Sequence, residues 1–478
     1  MERVPRTLPL RLDEVGVWVL GVALCLLLGL TSATPHTWAA AVMVVAVAAV
    51  GAYYVRVLGL EAGVVVLLIV TNIADHFTFR LGSYDVRAEQ VAAVAGLVAL
   101  GATRVRIDGL RTFKPNAAEW LLGAWLTWSA VSSVVGSPDK RLSAKILVLI
   151  AVCTLGFLLP RRLLAGSRSR ENLEIVLRWL LIAFATESLY GSFAYLLHAF
   201  GPTISIGPNP ASGHLEAYGT LWEQNVFGAF AAAGGVAWVY LGRQRFERAW
   251  IGLALCMSGL VDSLTRAAWL AASAVGLLGL AVPSLRKRID FLMVGTGLLG
   301  GLLSAAAVLI VETLGNYVVP VPGATHTTHH GLFSAIFNMT DFIGRLNQWG
   351  VVSGDIRGRF AVLGRGTASF EALHVSGGVP QHIASLPLLV LNDTGIVGFL
   401  IFAAFVAAVA YRAWTRRSDD VVVGLSQMMI VVGLANLATQ TTELMIGWLM
   451  LGLLVAAADI APAAAARSQA ARSESRAA

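Results

Sequence analysis

The sequence predicts an all-α fold, a polytopic membrane bundle of about 12–14 transmembrane helices with one long external loop. Three observations carry this prediction. The 478 residues are 57% apolar and 13% charged, with a mean hydropathy of +0.72, whereas a soluble chain has about 25% charged residues. Apolar runs of spanning length, about 17–25 residues, recur along the chain. Basic residues gather in alternate connections between these runs, as the positive-inside rule describes.

Apolar segments supply the candidate spanning helices, in order along the chain. Fourteen are found, and the short early hairpins also allow twelve or thirteen: residues 15–33, 37–55, 57–74, 88–103, 118–136, 142–160, 174–199, 223–241, 247–263, 266–283, 289–312, 386–411, 420–438 and 442–460. Residues 1–314 are therefore assigned to the first eleven spans and 386–460 to the last three. Residues 461–478 are rich in Ala, Arg and Ser and are predicted to be a disordered cytoplasmic tail.

The distribution of basic residues sets the orientation. With the N-terminus in the cytoplasm, 24 of the 35 Lys and Arg residues lie on the cytoplasmic side and ten lie outside. The sequence thus predicts a multi-pass protein of the cytoplasmic membrane with both termini in the cytoplasm. Arginines precede the first apolar run as in a signal peptide, but no A-x-A cleavage site follows, so this run is predicted to be retained. The net charge of +7 comes from short basic clusters between the apolar runs, which the membrane topology explains. No nucleic-acid partner is therefore expected.

The longest connection, residues 315–385, is predicted to be external and contains four arginines and five of the nine histidines. Within it, residues 333–352 place their large apolar side chains near one helical face, which predicts an amphipathic helix on the membrane surface or over a cavity. Loops of this length are usually functional or disordered. The sequence has no Walker loop, dinucleotide fingerprint or C-x-x-C motif, so no cofactor is expected.

Three external arginines are candidates for binding phosphate. Arg266 lies at the external mouth of a tight hairpin, Arg345 lies in the amphipathic segment, and Arg365 lies within a G-R-G motif. A guanidinium binds phosphate through a fixed fork of donors. The competing interpretation of Arg266 is a helix-end side chain that reaches lipid headgroups. The competing interpretation of Arg345 is an ion pair with Asp341, four residues earlier.

Histidines supply the candidate for proton transfer. His382 precedes the twelfth predicted span, and imidazole is the side chain whose usual pKa suits base chemistry near neutral pH. The competing interpretation is a loop histidine without a catalytic role. His326, His329 and His330 form an H-x-x-H-H pattern that zinc or copper can use. Because no carboxylate or cysteine nearby completes a ligand set, no metal site is predicted.

Four stretches of the second half contain short motifs in a definite order. They are AYGTLWEQNVFG at 217–228, LTRAAWLA at 264–271, RLNQW at 345–349 with LGRG at 363–366, and His382 followed by LNDTGIVG at 391–398. In this order, over roughly residues 210–460, the chain resembles the O-antigen ligase and O-antigen polymerase superfamily of membrane glycosyltransferases. It departs from the family pattern at Ile383, where the family has Asn, and at Thr265 and Ala267, which flank Arg266 in place of Ser and Gly.

The resemblance implies a metal-independent enzyme of cell-surface polysaccharide assembly. Such enzymes transfer a glycan from a polyprenyl-diphosphate carrier, such as undecaprenyl diphosphate, to a hydroxyl of a glycan, lipid or protein acceptor outside the membrane. The resemblance assigns catalysis to His382, diphosphate binding to Arg266, Arg345 and Arg365, and supporting roles to Asn225, Trp269, Trp349 and Asn392. Membrane lipids are the remaining expected partners. The rival interpretation is a transporter or flippase of lipid-linked glycans or small solutes, although the sequence has no internal repeat.

Overall fold

The computed structural model describes residues 36–73, 78–81, 84–107, 115–165, 168–200, 208–209, 216–221, 223–314, 340–376 and 379–477. These residues are mostly helical, which confirms the predicted fold class at that level. Five helices are long and apolar enough to cross a membrane: Lys140–Leu163, Ser169–Leu197, Gln224–Gly242, Phe291–Ile310 and Leu386–Trp414. The described residues also form shorter apolar helices of 10–17 residues.

The first half of the chain supplies seven of the described helices and one hairpin. The helices are α1 (His36–Leu58), α2 (Leu60–Asn72), α3 (Ala88–Ile107), α4 (Ala117–Gly136), α5 (Lys140–Cys153), α6 (Leu155–Leu163) and α7 (Ser169–Phe200). Strands β1 (Thr78–Leu81) and β2 (Tyr84–Arg87) pair antiparallel between α2 and α3. The first predicted span, residues 15–33, lies outside the described residues.

The second half contains the remaining elements. The helices are α8 (Gln224–Ala237, continued by a π turn at Trp238–Gly242), α9 (Ala249–Asp262), α10 (Arg266–Ala281), α11 (Pro283–Arg286), α12 (Phe291–Leu314), α13 (Thr340–Asp355), α14 (Arg359–Leu363), α15 (Ser369–Leu373), α16 (Leu386–Trp414), α17 (Asp420–Ala435) and α18 (Met445–Ala477). Two short antiparallel pairs join β3 (Pro208–Asn209) to β4 (Glu216–Ala217) and β5 (Val375–Ser376) to β6 (Val379–Pro380).

Local sequence explains several helix boundaries. Asn116 and Glu119 form a capping box at the start of α4, and Asp139 and Asp419 accept backbone N–H groups at the starts of α5 and α17. Each side chain satisfies donors that the first helical turn leaves unpaired.

Helix α18 continues to Ala477, through the tail for which the composition predicted disorder. Ala and Arg, which dominate that tail, are among the best helix formers.

One end of the bundle, here called the basic end, is fastened by arginine–carboxylate pairs. Buried Glu119 on α4 pairs with Arg161 and Arg162 on α6, and Asp459 on α18 pairs with Arg161 and with Arg412 on α16. Because each carboxylate contacts two guanidinium groups, the network ties four helices together. Further pairs at this end are Arg170–Asp419, Arg245–Glu174, Arg243–Asp290 and Arg288–Asp420.

The opposite end, here called the loop end, carries α13–α15 and an interruption of α16. Gly395 has φ 62° and ψ −171°, so the helix is broken there. The carbonyls of Asn392 and Asp393 are thereby available to a non-helical partner. They accept hydrogen bonds from the backbone N–H groups of Arg365 and Gly366, each at 2.9 Å. Residues 364–367, here called the inserted loop, thus fill the break in α16.

Side chains of α4 hold the same break from the other side. Trp128 Nε1 donates to the carbonyl of Thr394 at 2.8 Å, and Ser132 Oγ donates to the carbonyl of Asp393 at 2.5 Å. Ser133 Oγ accepts the backbone N–H of Thr367 at 3.0 Å. A backbone carbonyl or N–H that is buried without a hydrogen-bond partner is costly. These contacts supply partners for the backbone groups that the break in α16 leaves unpaired. The inserted loop is therefore fixed between α4 and α16.

Candidate functional site

His382 lies between β6 and α16 at the loop end. Its Nδ1 lies 3.2 Å from Oε1 of Glu371, and its side chain is 68% exposed. The hydrogen bond to Glu371 is the main reason why the pKa of His382 is raised; partial burial opposes the rise, and the charges of Glu443 and Glu223 add to it. The imidazole is thus oriented by a carboxylate and keeps an accessible face, as a proton-transfer group requires.

The residues after His382 anchor it to the loop. Ile383, 1% exposed, packs in a cluster with Val352, Phe370 and Leu389 from α13, α15 and α16. Where the resembled family has Asn, this chain therefore has an apolar anchor. The polar contact that orients the imidazole comes from Glu371.

Gln348 on α13 fixes the same segment through its carboxamide. Its Nε2 donates to the carbonyl of His382 at 3.0 Å, and its Oε1 accepts the N–H of Ala384 at 3.4 Å. One side chain thus holds the backbone on both sides of Ile383, so α13 sets the position of His382.

Glu371 enters the site from α15, whose N-cap residue Ala368 has a left-handed backbone with φ 58°. A non-glycine residue rarely adopts that conformation, and such residues are often found at functional sites. Oε1 of Glu371 contacts His382, whereas Oε2 is buried without a hydrogen-bond partner among the described residues. The carboxylate therefore retains an acceptor atom beside the imidazole.

Further charged groups make the surroundings of His382 acidic. Glu443, just before α18, and Glu223, just before α8, both favour the protonated form of His382. Arg87, at the end of β2, donates from Nη1 to the carbonyl of Glu443 at 3.0 Å and also acts on its carboxylate. Elements distant in sequence therefore place carboxylates around one exposed imidazole.

Arg266 is the first residue of α10 and follows a constrained turn. Leu264 in this turn has φ 50°, a left-handed value for a non-glycine residue. Thr265 Oγ1 donates to the carbonyl of Gln224 at 2.9 Å, so the starts of α8 and α10 lie together. Trp269 Nε1 donates to the carbonyl of Leu260 at 2.7 Å and braces α10 against α9. Glu223 precedes Gln224 in the sequence, and its charge favours the protonated form of His382. Arg266 therefore lies at the same end of the bundle as the imidazole.

Two other predicted residues have defined polar contacts. Asn225 Nδ2 donates to Glu223 Oε1 at 2.8 Å, which steadies a carboxylate of the site. Asn392 is fully buried in the broken part of α16, and its Nδ2 donates to Ser369 Oγ at 3.0 Å. Asn392 thereby joins α16 to the first residue of α15, the helix that carries Glu371.

Arg365 is engaged within the loop. Its Nε donates to the carbonyl of Asp355 at 2.6 Å, and its guanidinium lies 4.5 Å from the ring centroid of Phe360. Asp355 also accepts a 2.6 Å contact from His374 Nε2. These contacts fix α13, α14 and α15 to one another.

Helix α13 carries the remaining predicted residues. Its exposed face includes Leu346 and Trp349, which are 50% and 51% exposed. The side chain of Arg345 lies outside the described part of the structure. So do residues 333–339, the first part of the predicted amphipathic helix, and His326, His329 and His330 of the H-x-x-H-H pattern.

Sequence reasoning did not identify Glu371, Glu443 or Arg87. A signal for Glu371 was present, since this carboxylate precedes His382 by 11 residues in the same loop. Among the described residues, no group of three or more His, Cys, Asp and Glu side chains is placed to hold a metal ion. No protein-family model matches the chain, and no curated protein matches it.

Proposed function

We propose that this chain is a membrane glycosyltransferase of the O-antigen ligase or polymerase type. It transfers a glycan from a polyprenyl-diphosphate carrier to an acceptor hydroxyl at the external face of the cytoplasmic membrane. The observation that carries the proposal is the exposed imidazole of His382, oriented at 3.2 Å by Glu371. The order of the four sequence motifs, which includes His382 and Arg266, gives independent support.

The proposed reaction is a direct displacement. The acceptor hydroxyl gives its proton to His382 Nε2 while its oxygen forms a bond to the anomeric carbon of the donor. The bond from that carbon to the phosphate oxygen breaks, and the diphosphate leaves with the electron pair. Glu371 holds Nδ1 and stabilises the imidazolium that forms, since it favours the protonated ring. A positioned base of this kind contributes about 10²–10⁴-fold.

Electrostatics divide the proposed site into two parts. The carboxylates of Glu371, Glu443 and Glu223 would repel a diphosphate that lay against His382. They accept hydrogen bonds from hydroxyl groups well, so this part suits the acceptor sugar. The diphosphate is assigned to Arg266 and Arg345, whose guanidinium groups stabilise developing negative charge. Arg365 can bind the diphosphate only if its guanidinium group leaves the carbonyl of Asp355.

The proposal includes a topology. The loop end faces outward, the basic end and both termini lie in the cytoplasm, and twelve to fourteen helices span the membrane. The charge pattern supports this arrangement, because 24 of the 35 Lys and Arg residues then lie inside.

One observation favours a transporter as the second candidate. Transporters bind substrates and ions at interrupted helices, and α16 is interrupted at Gly395 beside buried Asp393. However, the inserted loop already binds the carbonyls of that break, which leaves fewer groups for a moving substrate. Glycan transfer therefore remains the first proposal.

Reconstitution into liposomes tests both candidates. The protein is supplied with a labelled polyprenyl-diphosphate-linked oligosaccharide and a hydroxyl acceptor, and glycosidic product is measured. We expect product with the wild type and none with His382→Ala. His374→Ala is the comparison variant, since His374 is also a loop histidine with a carboxylate partner. Because its contact with Asp355 only helps to hold α13 to α15, His374→Ala should reduce transfer without abolishing it. Movement of the label without product would support the transporter, and neither product nor movement would overturn both candidates.

A further inference from the structure

A cluster of three arginines lies at the basic end, where α7 packs against α8 and α9. Arg170 and Arg178 belong to α7, and Arg245 lies in the connection between α8 and α9. The carboxylates in this cluster are Glu174 on α7 and Asp419 at the start of α17. The basic end is opposite the loop end, so the cluster is separate from the site proposed for glycan transfer.

Arg245 is the most deeply buried member, with a side chain that is 2% exposed. Its Nη2 lies 2.7 Å from Glu174 Oε2, and its Nη1 donates to the carbonyl of Leu241 at 2.8 Å. Its Nε is buried without a hydrogen-bond partner among the described residues. Burial lowers the pKa of Arg245, Glu174 opposes this effect, and the charges of Arg170 and Arg178 lower the pKa further. One carboxylate therefore does not offset the positive charge around Arg245.

The two carboxylates of the cluster are engaged by Arg170 and Arg245. Arg170 Nε lies 3.5 Å from Glu174 Oε1, and its Nη1 lies 3.1 Å from Asp419 Oδ2. Arg178 is partly exposed and acts on Arg245 through its charge. Within the described part of the chain, Arg178 forms no ion pair with either carboxylate. Three guanidinium groups thus share two carboxylates, and one positive charge is left over.

Arg178 lies within the apolar, spanning-length segment Ser169–Leu197 of α7. It is about nine residues, or roughly 14 Å, from the start of that segment. A charge at such a position is costly, and an arginine there reaches towards lipid headgroups. Trp179, the next residue, packs edge-on against Tyr54 of α1 with ring centroids 5.0 Å apart. Because Trp and Tyr concentrate at the membrane–water interface, this part of α7 is suited to contact headgroups.

We propose that the cluster binds the headgroup of one anionic phospholipid, with Arg178 contacting its phosphate. A guanidinium group offers phosphate a fork of donors. The single negative charge of phosphatidylglycerol balances the positive charge that the two carboxylates leave over, whereas phosphatidylcholine carries no net charge. The bound phosphate also offsets the charge of Arg245. The lipid therefore stabilises the packing of α7 against the connection between α8 and α9.

Thermal unfolding of the full-length protein in nanodiscs tests the site at fixed pH and ionic strength. Phosphatidylcholine is replaced stepwise by phosphatidylglycerol with the same acyl chains. We expect Tm to rise and to saturate as phosphatidylglycerol increases. In Arg178→Gln the apparent affinity for phosphatidylglycerol should fall about tenfold. In pure phosphatidylcholine, Arg178→Gln should unfold at a Tm no lower than the wild type, because the substitution removes a charge that has no partner there.

Arg286→Gln is the matched control, since Arg286 is an exposed arginine of α11 at the same end of the bundle but outside the cluster. It should leave the apparent affinity for phosphatidylglycerol unchanged. Equal losses in Arg178→Gln and Arg286→Gln would show a general effect of surface charge. Equal Tm values of the wild type in both lipids would show that no anionic lipid compensates the cluster. An equal rise of Tm with inorganic phosphate in pure phosphatidylcholine would show a site for a free anion. Any of these three results overturns the proposal.

Discussion

Replacing Glu371 by Gln gives the sharpest test of the proposed base. The substitution keeps the size of the side chain and removes its charge, so the 3.2 Å contact to His382 Nδ1 changes from charged to neutral. A hydrogen bond to a charged group contributes about 1.5–3 kcal/mol. The His382 side chain is 68% exposed, so solvent screening places the contact at the lower end of that range. About 1.4 kcal/mol corresponds to a loss of roughly tenfold in kcat/KM.

The pH dependence of Glu371→Gln has a definite sign. His382 must be neutral to accept the acceptor's proton, and Glu371 raises its pKa. Without that carboxylate the pKa falls, so the imidazole stays neutral to lower pH. The acidic limb of the kcat/KM profile should therefore move to lower pH although the plateau is reduced.

The assay is glycosidic product formation in liposomes across a series of pH values. Glu223→Gln serves as the control, because Glu223 acts on His382 through charge without the principal hydrogen bond. Glu223→Gln should shift the acidic limb in the same direction as Glu371→Gln but by less, and its kcat/KM plateau should stay higher than that of Glu371→Gln. An unchanged plateau together with an unmoved acidic limb in Glu371→Gln would refute the role assigned to this dyad.

Three other substitutions test separate parts of the molecule. Arg266→Lys should strongly reduce transfer in the liposome assay, because an ammonium group lacks the guanidinium fork; near-normal activity would count against the diphosphate clamp. Gly395→Ala should lower Tm, since the combination of φ 62° and ψ −171° costs a side chain about 1–3 kcal/mol and the added Cβ would meet backbone atoms of Val362 and Gly364. Gly433→Ala, where a Cβ meets nothing within 4 Å, is the control and should not lower Tm. Glu119→Ala leaves buried Arg162 without this partner and should cost about 3–5 kcal/mol of unfolding free energy in chemical denaturation; an unchanged midpoint would contradict that role.

Much of the helical architecture is predictable from local sequence. Helix α10 begins at Arg266, where the apolar segment was predicted to begin, and α16 begins at Leu386. These boundaries follow from runs of apolar residues and from nearby turn or cap residues, which are local properties. The break at Gly395 is different, because a glycine within an apolar helix is common and only the distant inserted loop makes this one a break.

The candidate site was predictable only in part. His382 and Arg266 were identifiable from their residue types and the order of motifs. Glu371 was missed because its contact depends on Ala368, a residue with no local preference for a left-handed backbone. Glu443 and Arg87 lie far apart in the sequence, and only the tertiary fold brings the end of β2 to the connection before α18. A single sequence carries no signal for such a pairing.

The inserted loop has a consequence for the order of assembly. Helix α16 cannot close its own hydrogen bonds at Gly395, and open carbonyls in a lipid bilayer cost several kcal/mol each. Their partners are Ser132 and Trp128 in α4, 261 and 266 residues earlier, and the loop that precedes α16. Such distant pairings form slowly, because much chain entropy is lost before they are made. We therefore expect the region around His382 to mature last, after translation of α16 and its docking against a pre-assembled α4.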